Sequence, residues 1–394
     1  MKVRVNGLTG SATNFGNVEL SNVIKSCGTY AGVCYMPDNF DTLAENVGAA
    51  EKRFWGTIGL NHHSIADHYY INLIIEDAPK ILAMALNNEG VYATSEKSGR
   101  YTIMKNCSER EQALYDKWLQ KLPGIIQKRY PDMDSKMVHK LAMENARYFI
   151  SVFAPCTTMV YSTNIRQLNY MYDWCHRYKS DETYFTKKVR EVLMQFAKQI
   201  EPFVIKGLRS NKRETFSLFD MQNGNKFENV SEHFDYTYIT RYHGSFTQLA
   251  QAHRHRTLKY TMRFNGTSEA FFVPDILEDA EDNIEWCNDM ASIADLIPQG
   301  TLVEIIEMGN YDDFLLKCTE RLCGRAMYEI AKQTKETYER YRYSLQSRYG
   351  VGSSLCIVKK FNKKNATKGT MLAGCKEQCY FTCLDGVDFD NRKI

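Results

Sequence analysis

Two short polar segments of this sequence contain residue types suited to binding a phosphorylated, aromatic ligand. The first, Gln251–Arg256, places two guanidinium and two imidazole side chains within six positions. Arginine can hold a phosphate bidentately, and a cation near a flavin ring stabilises its reduced anionic form. The second, Ser95–Tyr101, combines a carboxylate, a hydroxyl, a glycine and an arginine, which can bind a pyrimidine edge and its phosphate. Taken alone, the first segment is also compatible with a solvated basic patch and the second with an ordinary polar turn.

The chain also repeats itself. Ser231–Ile239 echoes Ala66–Ile74, because each has an acidic residue and a histidine followed by a predicted strand. Further along the chain, Asn164 and Asn310 each follow a proline-containing segment. Two matched landmarks in the same order predict an ancient duplication.

Together the polar segments resemble motifs of the flavin-dependent thymidylate synthases. That family has a Gln-x-x-Arg-His-Arg stretch, found here at Gln251–Arg256, and an Asn-Glu-x-Ser-x-Arg-Tyr motif, similar to Ser95–Tyr101. His62–His68 resembles the family's His-x-(Ser/Thr)-x-x-Glu-His. However, Asn88–Gly90 stands where the first half should have Arg-His-Arg, and Tyr260–Phe264 stands where the second half should have the serine motif. The two degenerate halves therefore keep complementary sets of motifs.

The resemblance implies one composite nucleotide site in each chain. The first half would contribute a serine–glycine–arginine turn and a helix arginine, and the second half would contribute the Gln-x-x-Arg face and a distal arginine. Ser98 and Arg321 are the implied catalytic residues, which hold and polarise the pyrimidine without forming a covalent bond. The implied substrate-binding residues are Glu96, Ser98, Gly99, Arg100, Arg147, Gln251, Arg254 and Arg321. The implied FAD-binding residues are His62, Ser64, Asp67, Asn164, Arg166, Glu232, Arg254, His255, Arg256 and Asn310.

The family's reaction is methylation of a uracil nucleotide at C5, which converts dUMP to dTMP. The resemblance implies methylenetetrahydrofolate as the carbon donor and NADPH-reduced FAD as the hydride donor. Divergence leaves open a related pyrimidine hydroxymethylase or modified-nucleotide synthase, and also a nucleotide- or flavin-binding protein without turnover. Pro155–Cys156 is similar to the nucleophile of the folate-only synthases, but it lacks a neighbouring histidine, so it is not expected to be catalytic. The family also implies a homodimer of tandem chains, which would form a pseudo-tetramer.

The expected fold class is α+β, with two synthase-like halves that each contain a small, mostly antiparallel sheet and long helices. The predicted segments are residues 1–215, with the pyrimidine and phosphate motif, residues 216–349, with the Arg-His-Arg motif, and a cysteine-containing tail over residues 350–394. Apolar residues at helical spacing predict long helices over residues 163–177, 185–208 and 312–346.

The composition limits the kinds of molecule that the protein is expected to bind. The chain has 394 residues, and 50 Lys and Arg against 47 Asp and Glu give a net charge of +3, too mild for stable binding to a nucleic-acid backbone. We expect no membrane span and no secretory signal, which indicates a cytoplasmic protein. The twelve cysteines then favour reduced thiols. Weak zinc candidates in the tail are Cys356, Cys375, Cys379 and Cys383, but their spacing is not a standard metal motif and structural thiols are the preferred interpretation.

Overall fold

A computed structural model describes residues 1–9, 19–103, 106–208, 213–221, 230–266, 270–350, 379–383 and 391–394. The chain forms two compact units, each built from two separate stretches of sequence. Unit 1 comprises Met1–Lys97 and Pro155–Phe216, and unit 2 comprises Ser98–Ala154 and Ser217–Ile394. The predicted boundary near residue 215 therefore lies at the last crossing between units. The segment 98–154 of the predicted first half, however, belongs to unit 2.

Helices and strands are numbered here in chain order. The helices α1 to α12 are Leu20–Tyr35, Phe40–Glu45, Val47–Gly59, Lys80–Asn87, Glu109–Arg129, Ser135–Ala146, Ile165–Arg177, Tyr184–Ile200, Phe246–Ala252, Ala280–Ser292, Tyr311–Arg321 and Tyr328–Tyr349. The strands β1 to β8 are Lys2–Leu8, Tyr70–Ala78, Tyr92–Glu96, Thr157–Asn164, His233–Phe234, Thr237–Ser245, Lys259–Arg263 and Leu302–Asn310. None of the helices in the described part of the chain has the length and apolarity that a bilayer crossing requires.

Unit 1 is organised around a four-stranded antiparallel sheet with strand order β1-β2-β4-β3. The interior strand β2 alternates between buried and more exposed positions, as the pleat requires. Its inward residues Ile71, Leu73 and Ile75 are fully buried. Burying side chains of this size stabilises the fold by roughly 1.5–3 kcal/mol each.

Unit 2 contains a second antiparallel sheet, with strand order β5-β6-β8-β7. Val303 and Ile305 of β8 are buried, as expected for an interior strand. Glu307 of the same strand is also completely buried, so its carboxylate needs compensating partners. The two sheets together with the long helices confirm the predicted α+β class.

The two sheets share more than their strand order. In unit 1, Tyr70 at the start of β2 pairs with Asn164 at the end of β4. In unit 2, Thr237 at the start of β6 pairs with Asn310 at the end of β8. Both asparagines cap the helix that follows, because each side chain accepts a backbone N–H bond from three residues further on. Equal topology, register and capping support the predicted duplication.

Three predicted helices have different limits in the structure. The helix predicted from residue 163 begins only at Ile165, since residues 163 and 164 complete β4. The helix predicted over residues 185–208 ends at Ile200. The helix predicted over residues 312–346 is divided into α11 and α12 by residues 322–327. Gly324 lies in this break, where a Cβ would clash with the carbonyl oxygen of Phe381, so the chain passes too close there for any side chain.

Candidate functional site

The turn that follows Lys97 positions the first group of predicted substrate residues in unit 2. Ser98 Oγ accepts a hydrogen bond of 3.3 Å from the backbone N of Arg100, and Thr102 Oγ1 donates to the carbonyl of Ser98 at 2.8 Å. Arg100 Nε then donates to Glu144 at 2.5 Å, and its Nη2 donates to the carbonyl of Arg325 at 2.8 Å. The guanidinium is thereby fixed at both of its edges.

Arg147, at the end of α6, is a buried cation in the same unit, with 5% of its surface exposed. Its Nη2 contacts the Sδ atom of Met327 at 2.8 Å, whereas its Nε has no hydrogen-bond partner among the residues that the structure describes. Burial lowers the pKa of this guanidinium, an effect that Glu144 partly opposes. A buried guanidinium with an unused donor favours an external acceptor at this position.

Arg321, the last residue of α11, is held by the Gln251–Arg256 segment. Its Nε donates to His255 Nε2 at 2.7 Å, and its Nη2 donates to the carbonyl of Gln251 at 3.1 Å. Burial lowers the pKa of Arg321, and the positive charges of Arg100 and Arg254 lower it further. The Ser98–Arg100 turn and the Gln-x-x-Arg face therefore act on the same guanidinium.

His255 is the residue that orients Arg321. Burial lowers the pKa of His255 to about 2, and the charges of Arg321 and Lys317 contribute to this shift. The ring is therefore neutral at physiological pH, and its Nε2 is free to accept the arginine hydrogen bond. The resemblance implied a flavin contact for His255. In the structure its ring is 3% exposed and is hydrogen-bonded to Arg321, and the flavin contact stays a prediction.

A buried ion pair supports this arrangement, and the sequence reasoning did not identify it. Lys317 Nζ lies 2.6 Å from Glu307 Oε2, and neither side chain is exposed. Tyr238 and Tyr242 donate hydrogen bonds to the same carboxylate at 2.7 and 2.9 Å. Lys317 and Arg321 share one face of α11 because they are four residues apart, so the sequence could have placed Lys317 beside Arg321, but it gave no signal for Glu307.

Two further carboxylates of unit 2 are buried. Glu144, which is 2% exposed, binds Arg100. Glu329 accepts hydrogen bonds from the backbone and hydroxyl of Ser245 and from the hydroxyl of Tyr148, and burial raises the pKa of Glu329. Acidic residues on helices usually face solvent, so the sequence pattern alone gave no reason to place either residue in the interior.

Glu96 is the predicted substrate residue that the structure does not group with the others. It ends β3 of unit 1, where its carboxylate accepts hydrogen bonds from Lys80 Nζ at 2.5 Å and Thr157 Oγ1 at 3.2 Å. The other seven residues all belong to unit 2: Ser98, Gly99, Arg100, Arg147, Gln251, Arg254 and Arg321.

The FAD-binding residues expected in the first half lie in unit 1, where three of them contact one another. Asp67 accepts hydrogen bonds from Asn164 Nδ2 at 3.2 Å and from Arg166 Nη1 at 2.8 Å. His62 is exposed, and its Nδ1 lies 2.6 Å from the hydroxyl of Tyr35. Ser64 is exposed on the turn between these residues.

The FAD-binding residues expected in the second half lie in unit 2 and are less concentrated. Glu232 accepts hydrogen bonds from Thr240 Oγ1 at 2.7 Å and from Arg340 Nη1 at 2.9 Å. The side chain of Asn310 caps α11. Arg254 is half-buried and Arg256 is exposed, so the end of this segment lies at the surface of unit 2.

The tail cysteines do not form a metal centre within the described part of the chain. Cys356 and Cys375 lie outside the described residues. Cys379 and Cys383 are described, and Cys383 is hydrogen-bonded with the thiol of Cys323. No group of three or more His, Cys, Asp or Glu side chains suited to a metal ion occurs among the described residues.

Comparison with known proteins gives one family match. Residues 19–203 match the model of the Thy1 family, described as thymidylate synthase complementing protein. No curated protein sequence matches the chain. The family match confirms the resemblance that the motifs indicated, whereas the tandem form stays a prediction.

Comparison with solved structures gives matches that include the following three. A Helicobacter pylori ThyX structure with FAD and dUMP is 16% identical, over 52% of this chain and 95% of that chain, with a TM-score of 0.32. A second Helicobacter pylori ThyX complex with FAD and dUMP is 17% identical, over 52% of this chain and 100% of that chain, with a TM-score of 0.29. A UMP/dUMP methylase from Streptomyces cacaoi bound with 5-Br dUMP is 13% identical, over 53% of this chain and 97% of that chain, with a TM-score of 0.31.

Proposed function

Because residues 19–203 of this chain belong to the Thy1 family, we propose that the protein is a flavin-dependent enzyme that methylates a uracil nucleotide at C5. The substrate is dUMP, the carbon donor is methylenetetrahydrofolate, and NADPH reduces the FAD. One composite site operates in each chain. Each half contributes part of that site, and two chains associate as a homodimer.

The observation that carries this proposal is the grouping of guanidinium groups in unit 2. Arg100 and Arg147 come from the predicted first half, and Arg254 and Arg321 come from the second, yet all four belong to one compact unit. Arg321 is affected by the charges of both Arg100 and Arg254. Glu144 balances the charge of Arg100, and a nucleotide phosphate would balance the positive charge that remains on the neighbouring guanidiniums.

The nucleotide would be held by different atoms at its two ends. Arg147 Nε is a buried donor with no hydrogen-bond partner among the described residues, which suits a phosphate or carbonyl oxygen. The hydroxyl of Ser98 lies on the same turn as Arg100 and would orient the pyrimidine ring. Neutral His255 keeps Arg321 in a fixed orientation, so little reorganisation is needed when charge develops on the base.

The residues of the Arg-His-Arg segment fit an FAD anion. The guanidiniums of Arg254 and Arg256 reach the surface of unit 2, where a pyrophosphate can approach them. His255 faces inward to Arg321 and is therefore a positioning residue. When bound and reduced, FAD supplies the hydride that completes the methyl group, while the protein binds and orients the nucleotide.

The first experiment is an absorbance spectrum of the purified protein, followed by titration with FAD and dUMP. We expect bound flavin and about one dUMP per chain, as one composite site requires. Turnover with methylenetetrahydrofolate and NADPH, analysed by product mass, then distinguishes a methyl from a hydroxymethyl product. A protein that binds both ligands without turnover would be a nucleotide- and flavin-binding protein, and one that binds neither would contradict the enzymatic proposal.

A matched pair of variants tests the location of the site. Arg100→Gln removes a guanidinium that is held by Glu144, and we expect it to weaken dUMP binding by roughly tenfold to a hundredfold. Arg110→Gln removes a more exposed guanidinium of the same unit, which pairs with Asp295 at 2.9 Å, and should leave binding unchanged. Equal effects of the two changes would indicate a loss of general surface charge and not of a specific site.

A further inference from the structure

The tail segment 391–394 packs against the loop between α11 and α12. Arg392 Nη2 donates to the carbonyl of Ala326 at 2.7 Å. Its guanidinium lies over the rings of Phe381, at 4.6 Å from the centroid, and Tyr328, at 5.6 Å. Arg392 is only 3% exposed, so this end of the tail is part of the interior of unit 2.

Three arginines converge on three consecutive residues of that loop, 325–327. Arg100 donates a hydrogen bond to the carbonyl of residue 325, and Arg392 donates one to the carbonyl of residue 326. Arg147 contacts the sulfur atom of residue 327. Two of these arginines belong to the predicted nucleotide site. The tail therefore brings a third guanidinium to the same loop.

The cluster formed by Arg100, Arg147 and Arg392 has more positive than negative charge. Glu144 is the carboxylate that attracts all three guanidiniums, and it forms its ion pair with Arg100. Glu329 also attracts Arg147, but burial raises the pKa of Glu329 and so disfavours its charged form. Burial lowers the pKa of Arg392 to about 10, and the charge of Arg100 also lowers it. Arg392 Nε also donates to the oxygen of Ile394, and the positive charge that remains would be balanced by a bound anion.

Two buried N–H donors of the cluster are unused within the described residues. Arg147 Nε and Arg392 Nη1 each have no hydrogen-bond partner there. Buried guanidinium donors are rarely left unsatisfied, so each indicates an acceptor that is not one of those residues. A phosphate group provides several acceptor oxygens and, near neutral pH, a charge of about −1.5 to −2.

We propose that Arg392 is a third phosphate-binding arginine, with which the tail completes the nucleotide site of Arg100 and Arg147. The inference rests on the proposed nucleotide-binding function and adds a residue outside the family-matched region 19–203. The ligand class is a nucleoside 5′-phosphate whose phosphate is a dianion. Arg392 is a specificity-determining residue, because it distinguishes the phosphorylated nucleotide from the nucleoside.

The test compares dUMP with deoxyuridine, which differ only in the phosphate. Equilibrium binding of both is measured for the full-length flavin-loaded protein, for Arg392→Gln and for the matched control Lys393→Gln. We expect Arg392→Gln to weaken dUMP binding by about tenfold to a hundredfold and to leave deoxyuridine binding unchanged, since a charge-assisted hydrogen bond to phosphate is lost. Lys393→Gln should change neither affinity.

A second variant tests whether the loss of dUMP binding in Arg392→Gln comes from the lost guanidinium charge and not from a folding defect. Arg392→Lys keeps the charge but loses the planar fork, so its loss of dUMP affinity should be smaller than that of Arg392→Gln. Loss of dUMP and deoxyuridine binding by the same factor in both variants, or no loss in either, would overturn the assignment. If the unmodified protein binds neither ligand, the proposed function itself fails. If it prefers dUMP and Arg392→Gln keeps that preference, only the role of the tail fails.

Discussion

His255 offers a test of the site architecture that needs no ligand. Its Nε2 accepts a hydrogen bond from Arg321 at 2.7 Å, and Lys317 adds a second nearby positive charge. Glu320 lies on the other side of the ring, with Oε2 at 3.8 Å from Nδ1. Burial and the two cations together lower the pKa of His255 to about 2. We consider the change His255→Gln, in which an amide oxygen can replace Nε2 as the acceptor but cannot titrate.

The direction in which pH changes the stability follows from which state of the chain binds a proton at His255. An unfolded histidine has a pKa of about 6.5, so between that value and the folded pKa of about 2 only the unfolded chain binds the proton. The contribution of neutral His255 to stability is therefore complete above pH 6.5 and decreases as the pH falls. The decrease is roughly 1.4 kcal/mol per pH unit, which gives about 2 kcal/mol at pH 5. Glutamine lacks this dependence.

The assay is urea unfolding at pH 7.5 and pH 5.0, followed by tryptophan fluorescence. Trp118 and Trp286, whose ring centroids are 4.8 Å apart, report on unit 2. Relative to the unmodified protein, His255→Gln should gain about 2 kcal/mol in free energy of unfolding on going from pH 7.5 to pH 5.0. The control His139→Gln changes an exposed histidine of α6 and should show no such gain. A stability difference for His255→Gln that is the same at both pH values would refute the reasoning.

Three other outcomes are expected. Arg254→Ala should abolish or strongly weaken flavin or nucleotide binding whereas Asn88→Ala should have little effect, and equal losses measured by ligand titration would contradict the division of roles between the halves. Lys317→Met should lower the free energy of unfolding by about 3–5 kcal/mol because it leaves Glu307 buried without its cation, and adding Glu307→Gln should recover part of that loss in the same urea assay. Light scattering on the eluted protein should give two chains per particle, and a monomeric protein that keeps full activity would rule out the dimer as a requirement.

Motif spacing and the family resemblance indicated the charged residues of the candidate site but not the side chains that hold them. Arg100 lies in a short polar motif, and the resemblance added Arg147 and Arg321. Their partners Glu144 and Glu307 were missed, since an acidic residue in a helix or strand is usually solvated and only tertiary packing reveals otherwise.

The long helices were predictable because apolar residues recur in the sequence at helical spacing. The family resemblance implied the α+β class, and the paired acid–His echoes indicated two similar halves. The close passage of Phe381 beside Gly324, in the break between α11 and α12, was not predictable. A contact between segments so distant in sequence leaves no local signal.

The interleaving of the two units has a consequence for how the chain can be divided. Residues 98–154 leave unit 1 after β3 and join unit 2, and the chain returns to unit 1 at Pro155. A ribosome that has released residues 1–154 has therefore produced only part of each unit. Residues 1–216 contain all of unit 1, whereas residues 217–394 lack the segment 98–154 of unit 2. Splitting the gene at residue 216 should therefore give a second fragment that is aggregation-prone and recovers structure only when it is coexpressed with the first. The two sheets have the same strand order, yet no continuous part of the gene encodes unit 2 alone.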